Sequence, residues 1–181
     1  MSAEFEAQPK PEIVVTTIAD IPAVRAMQAR SWNDTYPNDD AGVSREWVER
    51  ETAGWLTPEA IEKSYEKLAP LLIDSHNFHR IAKVQGEPVA LIHASNGPQG
   101  QWLEGLYVDK KYHGRGLAQE LMAEAFQWLD LEQPITLGVI QYNTRAIKFY
   151  QKYGFILQPG TEGLLKDKIP DIDMTRPGGQ L

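Results

Sequence analysis

Seven residues, Tyr112-His113-Gly114-Arg115-Gly116-Leu117-Ala118, constrain this chain more than any other stretch. They follow an apolar run over 103–108 that reads as a strand. They open a segment over 117–129 whose apolar residues Leu117, Leu121, Met122, Ala125, Phe126 and Leu129 fall on one helical stripe. A glycine-rich corner between strand and helix leaves the first-turn N–H groups without intrahelical acceptors and sets the positive end of the helix dipole behind them. Such a corner favours a phosphate or pyrophosphate. Lys110, Lys111 and Arg115 sit beside it, with Lys148 and Lys152 further on. A local cationic cluster on a chain of net charge −7 hints at an anionic ligand more sharply than the overall charge does.

The acidic balance argues against general nucleic-acid binding, which needs a basic face. A chain of 181 residues can bury a core without staples, and 13–181 reads as one domain behind a flexible tail over 1–12. The absence of cysteine removes thiol nucleophiles, disulfides and thiolate metal sites, and no metal is expected. No apolar run reaches the roughly 18 residues of a membrane span, and the first residues lack the apolar core of a signal peptide. The chain therefore reads as soluble and cytoplasmic.

Residues 13–17 form a β-branched run, a first strand. Asp20 and Pro22 mark the start of a helix, and Thr57-Pro58-Glu59-Ala60 starts another within an aromatic-rich region of two or three short helices over 31–64. Segments 78–84 and 89–94, joined through Gln85-Gly86-Glu87, read as a hairpin that continues into a strand over 102–108. A strand over 134–140, a helix capped by Asn143 and a strand near 172–175 complete the order, with a mobile loop expected over 160–169. The fold class is α/β (α+β): a mixed, mostly antiparallel sheet with helices on both faces.

Two phosphate-site readings fail on their residues. A nucleoside-triphosphate loop needs a lysine–hydroxyl pair after its last glycine, and none follows Gly116. A dinucleotide fingerprint needs a small residue where Gln119 stands, and the corner comes after a β-meander instead of opening a βαβ unit. The third reading is a resemblance. His113-Gly114-Arg115-Gly116-Leu117-Ala118 is similar to the Q/R-x-x-G-x-G/A pyrophosphate motif of the GNAT superfamily of N-acetyltransferases, with His113 in place of glutamine or arginine. Asn143-Thr144-Arg145-Ala146-Ile147-Lys148-Phe149-Tyr150-Gln151-Lys152-Tyr153-Gly154-Phe155 resembles the family's N-x-x-A-x-x-F-Y-x-x-x-G-F, and Leu106-Tyr107-Val108 looks like its cofactor strand.

The resemblance implies acetyl-CoA as co-substrate and direct attack of an amine on the thioester. The pyrophosphate would rest on N–H groups of Gly114, Arg115, Gly116, Leu117 and Ala118, near His113 and Lys148. The pantetheine arm would pair with the backbone at Leu106, Tyr107 and Val108, where strands 103–108 and 135–140 splay. Asn143 is a plain helix cap, a residue at the mouth of that opening, or both. Tyr150 is either a core aromatic or the acid that protonates the departing thiolate. Glu104, expected by alternation to share a face with Leu106 and Val108, is an exposed strand glutamate or the general base. His79 and His93 in the preceding hairpin read as structural or exposed. Trp32, Tyr36 and Trp55, with Asp34, Asp39 and Asp40, would suit a cationic acceptor such as a polyamine, or form core and solvated loop. The rivals are a non-catalytic acyl-CoA sensor of the same fold and a protein or peptide N-acetyltransferase. Neither nucleic acid nor membrane is an expected partner, and a homodimer is compatible with such a domain.

Overall fold

The computed structural model describes residues 9–179. Most of the expected tail, residues 1–8, lies outside the described residues; 9–11 have no regular structure, and the first strand begins one residue early. Eight strands form one sheet: β1 (Glu12–Val15), β2 (Asn77–Val84), β3 (Glu87–Gly97), β4 (Gly100–Val108), β5 (Ile135–Ile140), β6 (Ile156–Leu157), β7 (Gly163–Leu165) and β8 (Ile169–Arg176). Their spatial order is β1-β2-β3-β4-β5-β8-β6, with β7 beside β8. Every pairing is antiparallel except β4 with β5. The loop expected to be mobile over 160–169 contains β7, which pairs Gly163 with Asp171.

The helices start where the sequence places capping groups. Thr17 and Asp20 bond reciprocally in a short 3-10 turn that leads into α1 (Ile21–Thr35), with Pro22 in its first turn. Ser44 caps α2 (Arg45–Gly54) and Thr57 caps α3 (Pro58–Ile73), each side chain accepting an N–H from three residues on. The β2–β3 turn holds Gln85 and Gly86 at φ 52° and 86°, the doubly positive geometry that matches the twist of a tight hairpin.

Two layers flank the sheet. Leu117, Leu121, Met122 and Ala125 of α4 (Leu117–Trp128) and Tyr150 of α5 (Thr144–Gln151) pack with Phe78, Ile92, Leu103, Leu137 and Met174 on one face. On the other face, Val24 and Met27 of α1 meet Ile81 and Leu91, and Trp32 meets Val43, Val48, Ile140 and Ile169. Tyr107 packs against both of these smaller clusters.

Two irregularities of β4 prepare the site. Ala94 faces Leu103 while His93 faces Gly105, so Glu104 is an extra residue in a β-bulge. The bulge resets the alternation, and Leu103, Leu106 and Val108 all face the α4 layer. Glu104 therefore does not share a face with Leu106 and Val108: it lies on Tyr107's side, where its Oε1 accepts from Ser95 Oγ at 2.6 Å. The second irregularity is that β4 pairs with β5 only at Gln101–Ile135 and Trp102–Thr136. Buried Gln101 pins that joint, donating to Asp130 O at 2.8 Å and accepting from Asp130 N at 2.7 Å. Beyond it the two strands part.

The bulge also sets a steric test. A Cβ on Gly105 would stand 2.9 Å from Tyr107 Cε2, and that ring is wedged between two clusters. Gly105→Val should therefore lower stability by about 1–3 kcal/mol in urea unfolding, the usual cost of overpacking. Wild-type stability in this variant would show that the ring is free to move aside.

Candidate active site

A cleft of about 790 Å³ opens where β4 and β5 part. Its walls are Leu106, Tyr107 and Val108 of β4, the corner from Tyr112 to Gly114 with Gly116, Leu117 and Ala118, and the Asn143 cap of α5 with Lys148 and Tyr150 from its last turn. The structure thus brings eleven of the thirteen sequence-derived residues to one place. Arg115 and Glu104 are the other two. Arg115 is not part of the lining; its guanidinium stands 5.5 Å from the ring centroid of Tyr112, which is. Glu104 lines a separate groove with Asp74, His76, Ser95 and Trp102.

Each wall has a local cause. Gly116 is the N-cap of α4 with φ 85°, and Gly114 has φ 74°. A Cβ at either position would meet nothing within 4 Å, so glycine is required by the left-handed backbone and not by space. Gly116, Leu117, Ala118 and Gln119 line the cleft, so the start of α4, whose first-turn N–H groups have no intrahelical acceptor, borders it. Along β4, the edge toward β5 carries main-chain groups with no strand partner after Trp102. Asn143 does act as a cap, its Oδ1 accepting from Ala146 N at 3.1 Å, and it lines the cleft as well.

Tyr150 is 8% exposed and packs with Phe149 and Phe155. Burial pushes its phenol well above the ordinary tyrosine range, and Tyr107 adds to the effect. The proton therefore stays on Tyr150 at any physiological pH. Tyr36, across the cleft, is raised by the same burial. The Tyr142 hydroxyl donates to Tyr36 O at 2.6 Å and ties the end of β5 to the end of α1.

The aromatic residues expected near an acceptor divide. Asp34 and Tyr36 line the cleft. Trp32 is core, edge-on to both Tyr36 and Trp55 at 4.6 Å. Trp55 is covered by the Arg25 guanidinium at 4.7 Å, so that ring face is already occupied.

Sequence reasoning assigned no role to Arg145, Tyr112 or Thr35, which also line the cleft. His113 contacts Val108 O through Nε2 at 2.8 Å, and its Nδ1 meets Nη1 of Arg145. The signal for Arg145 was its place in the first turn after the Asn143 cap. The face it presents depends on how α5 docks, which spacing alone does not give.

The family model described as "Acetyltransferase (GNAT) family" matches residues 27–155. Over 57 residues the chain is 35% identical to a probable spermine N(1)-acetyltransferase of Bacillus subtilis subsp. natto, a match that covers 30% of this chain and 38% of that protein. Among solved structures, the PaiA N-acetyltransferase of Thermoplasma acidophilum, in complex with coenzyme A, is 20% identical with a TM-score of 0.68, over 91% of this chain and 98% of that one. A GCN5-related N-acetyltransferase of Rhodopseudomonas palustris is 19% identical with a TM-score of 0.69, over 94% and 98%. At these identities the two structures speak for the fold. No helix among the described residues is long and apolar enough to cross a membrane.

Beneath Glu104, His79 and His93 face each other across β2 and β3 with ring centroids 5.1 Å apart. Their polar contacts are Thr16 Oγ1 with His79 Nδ1 at 2.7 Å and Asn77 Oδ1 with His93 Nε2 at 3.1 Å. Burial, then the neighbouring His93 and Arg80, push His79 down to about 4. The unfolded chain, with an ordinary histidine near 6.5, binds more protons between these values. Stability is therefore full above about pH 6.5 and falls as pH drops toward 4, by at most about 3 kcal/mol. Urea unfolding between pH 7 and 4 should show a shallower fall in His79→Gln than in wild type; equal slopes would show that His79 is not the group whose protonation destabilises the fold.

Proposed function

The chain belongs to the GNAT acetyltransferase family, and on that premise we propose that it moves an acetyl group from acetyl-CoA to a small primary amine by direct attack in a ternary complex. The observation that carries the reading is the meeting, in one cleft, of three groups with different tasks: the glycine corner, the unpaired edge of β4 and the Tyr150 phenol.

In this reading the corner's N–H groups hold the pyrophosphate, and the pantetheine arm lies against Leu106–Val108 as an added strand would. A β4 amide polarises the thioester carbonyl as an oxyanion donor does. The amine attacks the carbonyl carbon, the C–S bond breaks, and the proton lost by nitrogen balances the one gained by sulfur. Tyr150, kept protonated by burial, delivers the proton to the thiolate. Glu104 lies in the neighbouring groove with one oxygen bound by Ser95, so it accepts the amine's proton only through water.

A small cationic amine is favoured by the acidic and aromatic rim at Asp34 and Tyr36. The spermine acetyltransferase likeness points the same way, although that match spans under two-fifths of the relative. Acetyl-CoA is the implied co-substrate, as coenzyme A is the ligand named for the Thermoplasma structure.

Release of free coenzyme A thiol across a panel of polyamines, aminoglycosides, amino acids and peptides tests the activity. Amine-dependent release is expected. Retained binding of acetyl-CoA with no release on any amine would instead favour a sensor. Tyr150→Phe should keep coenzyme A affinity and lose about 100-fold or more in kcat, as removal of a general acid does. Glu104→Gln should cost less than about tenfold. The reverse ranking would move the proton chemistry to the Glu104 groove.

A further inference from the structure

We propose that Arg145 binds the pyrophosphate of coenzyme A, with His113 as the residue that positions it. The inference rests on the cofactor reading above and goes beyond the backbone cradle. Arg145 stands in the first turn of α5 and His113 directly precedes Gly114 at the corner, so the contact between them spans the cleft.

The histidine's two nitrogens fix its role. Nε2 sits 2.8 Å from the carbonyl of Val108, an acceptor only, so the proton is on Nε2 and the ring donates there. Nδ1 then carries a lone pair and accepts from the Arg145 guanidinium. Other charged groups facing the ring are Asp109 and Asp34; burial, together with Arg145, keeps the imidazole below its ordinary value and hence neutral at pH 7. One Arg145 N–H is used on His113, and no carboxylate among the described residues forms an ion pair with Arg145. The planar fork keeps its other donors for an anion, and a guanidinium matches phosphate oxygens in pairs. The neighbouring anion site is the start of α4, where the pyrophosphate would rest.

His113 stands where the family motif has glutamine or arginine. Glutamine reproduces both contacts: its amide N–H can donate to Val108 O while its oxygen accepts from Arg145. His113→Gln should therefore bind coenzyme A within about threefold of wild type. Arg145→Ala should weaken it about tenfold, and His113→Leu, which keeps bulk and loses both contacts, by a similar factor.

Calorimetry of wild type, the three single variants and the double variant Arg145→Ala/His113→Leu, with coenzyme A and with dephospho-coenzyme A, tests the proposal. Melting temperatures are recorded alongside. The double variant should be no weaker than the worse single one within about twofold, because both remove the same contact. The loss in Arg145→Ala should be the same for both ligands, since both carry the pyrophosphate. Wild-type affinity in Arg145→Ala overturns the proposal, and a loss that vanishes with dephospho-coenzyme A reassigns Arg145 to the 3′-phosphate and overturns it too. No binding by wild type overturns the cofactor reading and this assignment together. If His113→Leu does not fold, the Arg145→Ala and His113→Gln results still decide the matter.

Discussion

The parting of β4 from β5 is the constraint on which the site depends. Two paired residues, Gln101 and Trp102, hold the strands together, and the reciprocal amide bonds between Gln101 and Asp130 fix the joint. A sheet that continued its ladder would satisfy every main-chain group on β4 and leave no room for a ligand. By parting, the strands expose one edge of backbone donors and acceptors. The cleft is closed on other sides by the glycine corner that opens α4 and by a helix that presents a buried phenol. In the proposed reading these three walls receive the extended arm and the anionic end of an acyl-coenzyme A.

The bulge at Glu104 has a second consequence. One extra residue lets Leu103 and Leu106 both face the α4 core, and it turns Glu104 with Tyr107 toward the other layer. Gly105 is bare because the Tyr107 ring folds over it. Along β4 the cleft begins after Gly105, at Leu106, and the groove with Trp102 and Glu104 lies before it. Tyr150 and Glu104 do not share a cavity.

What could be read from the sequence was what local chemistry dictates. The corner's glycines, the Asn143 and Thr57 caps, the amphipathic stripe of α4 and the hairpin at Gln85-Gly86 are each specified by a few neighbouring residues, and each is where spacing placed it. The face of Glu104 was misread because alternation counts residues and a bulge adds one without a sequence mark of its own. β6 and β7 escaped because strands of two and three residues carry no periodicity, and pairing with β8 makes them strands. Trp32 and Trp55 could not be sorted between pocket and core, since only the docking of α1 on α2 places Arg25 over Trp55. The contact of His113 with Arg145 depends likewise on the meeting of two segments 32 residues apart.

In the proposed complex, main-chain amides of β4 and of the glycine corner hold the coenzyme. Amide hydrogen–deuterium exchange, with and without saturating coenzyme A, reads those amides one segment at a time. Slower exchange on ligand addition is expected at residues 106–108 and 114–119, with little change along β1, β2 and α3. Unchanged exchange at both segments, under conditions where calorimetry registers bound coenzyme A, would place the ligand elsewhere on the protein and rule out a main-chain cradle at β4 and the corner.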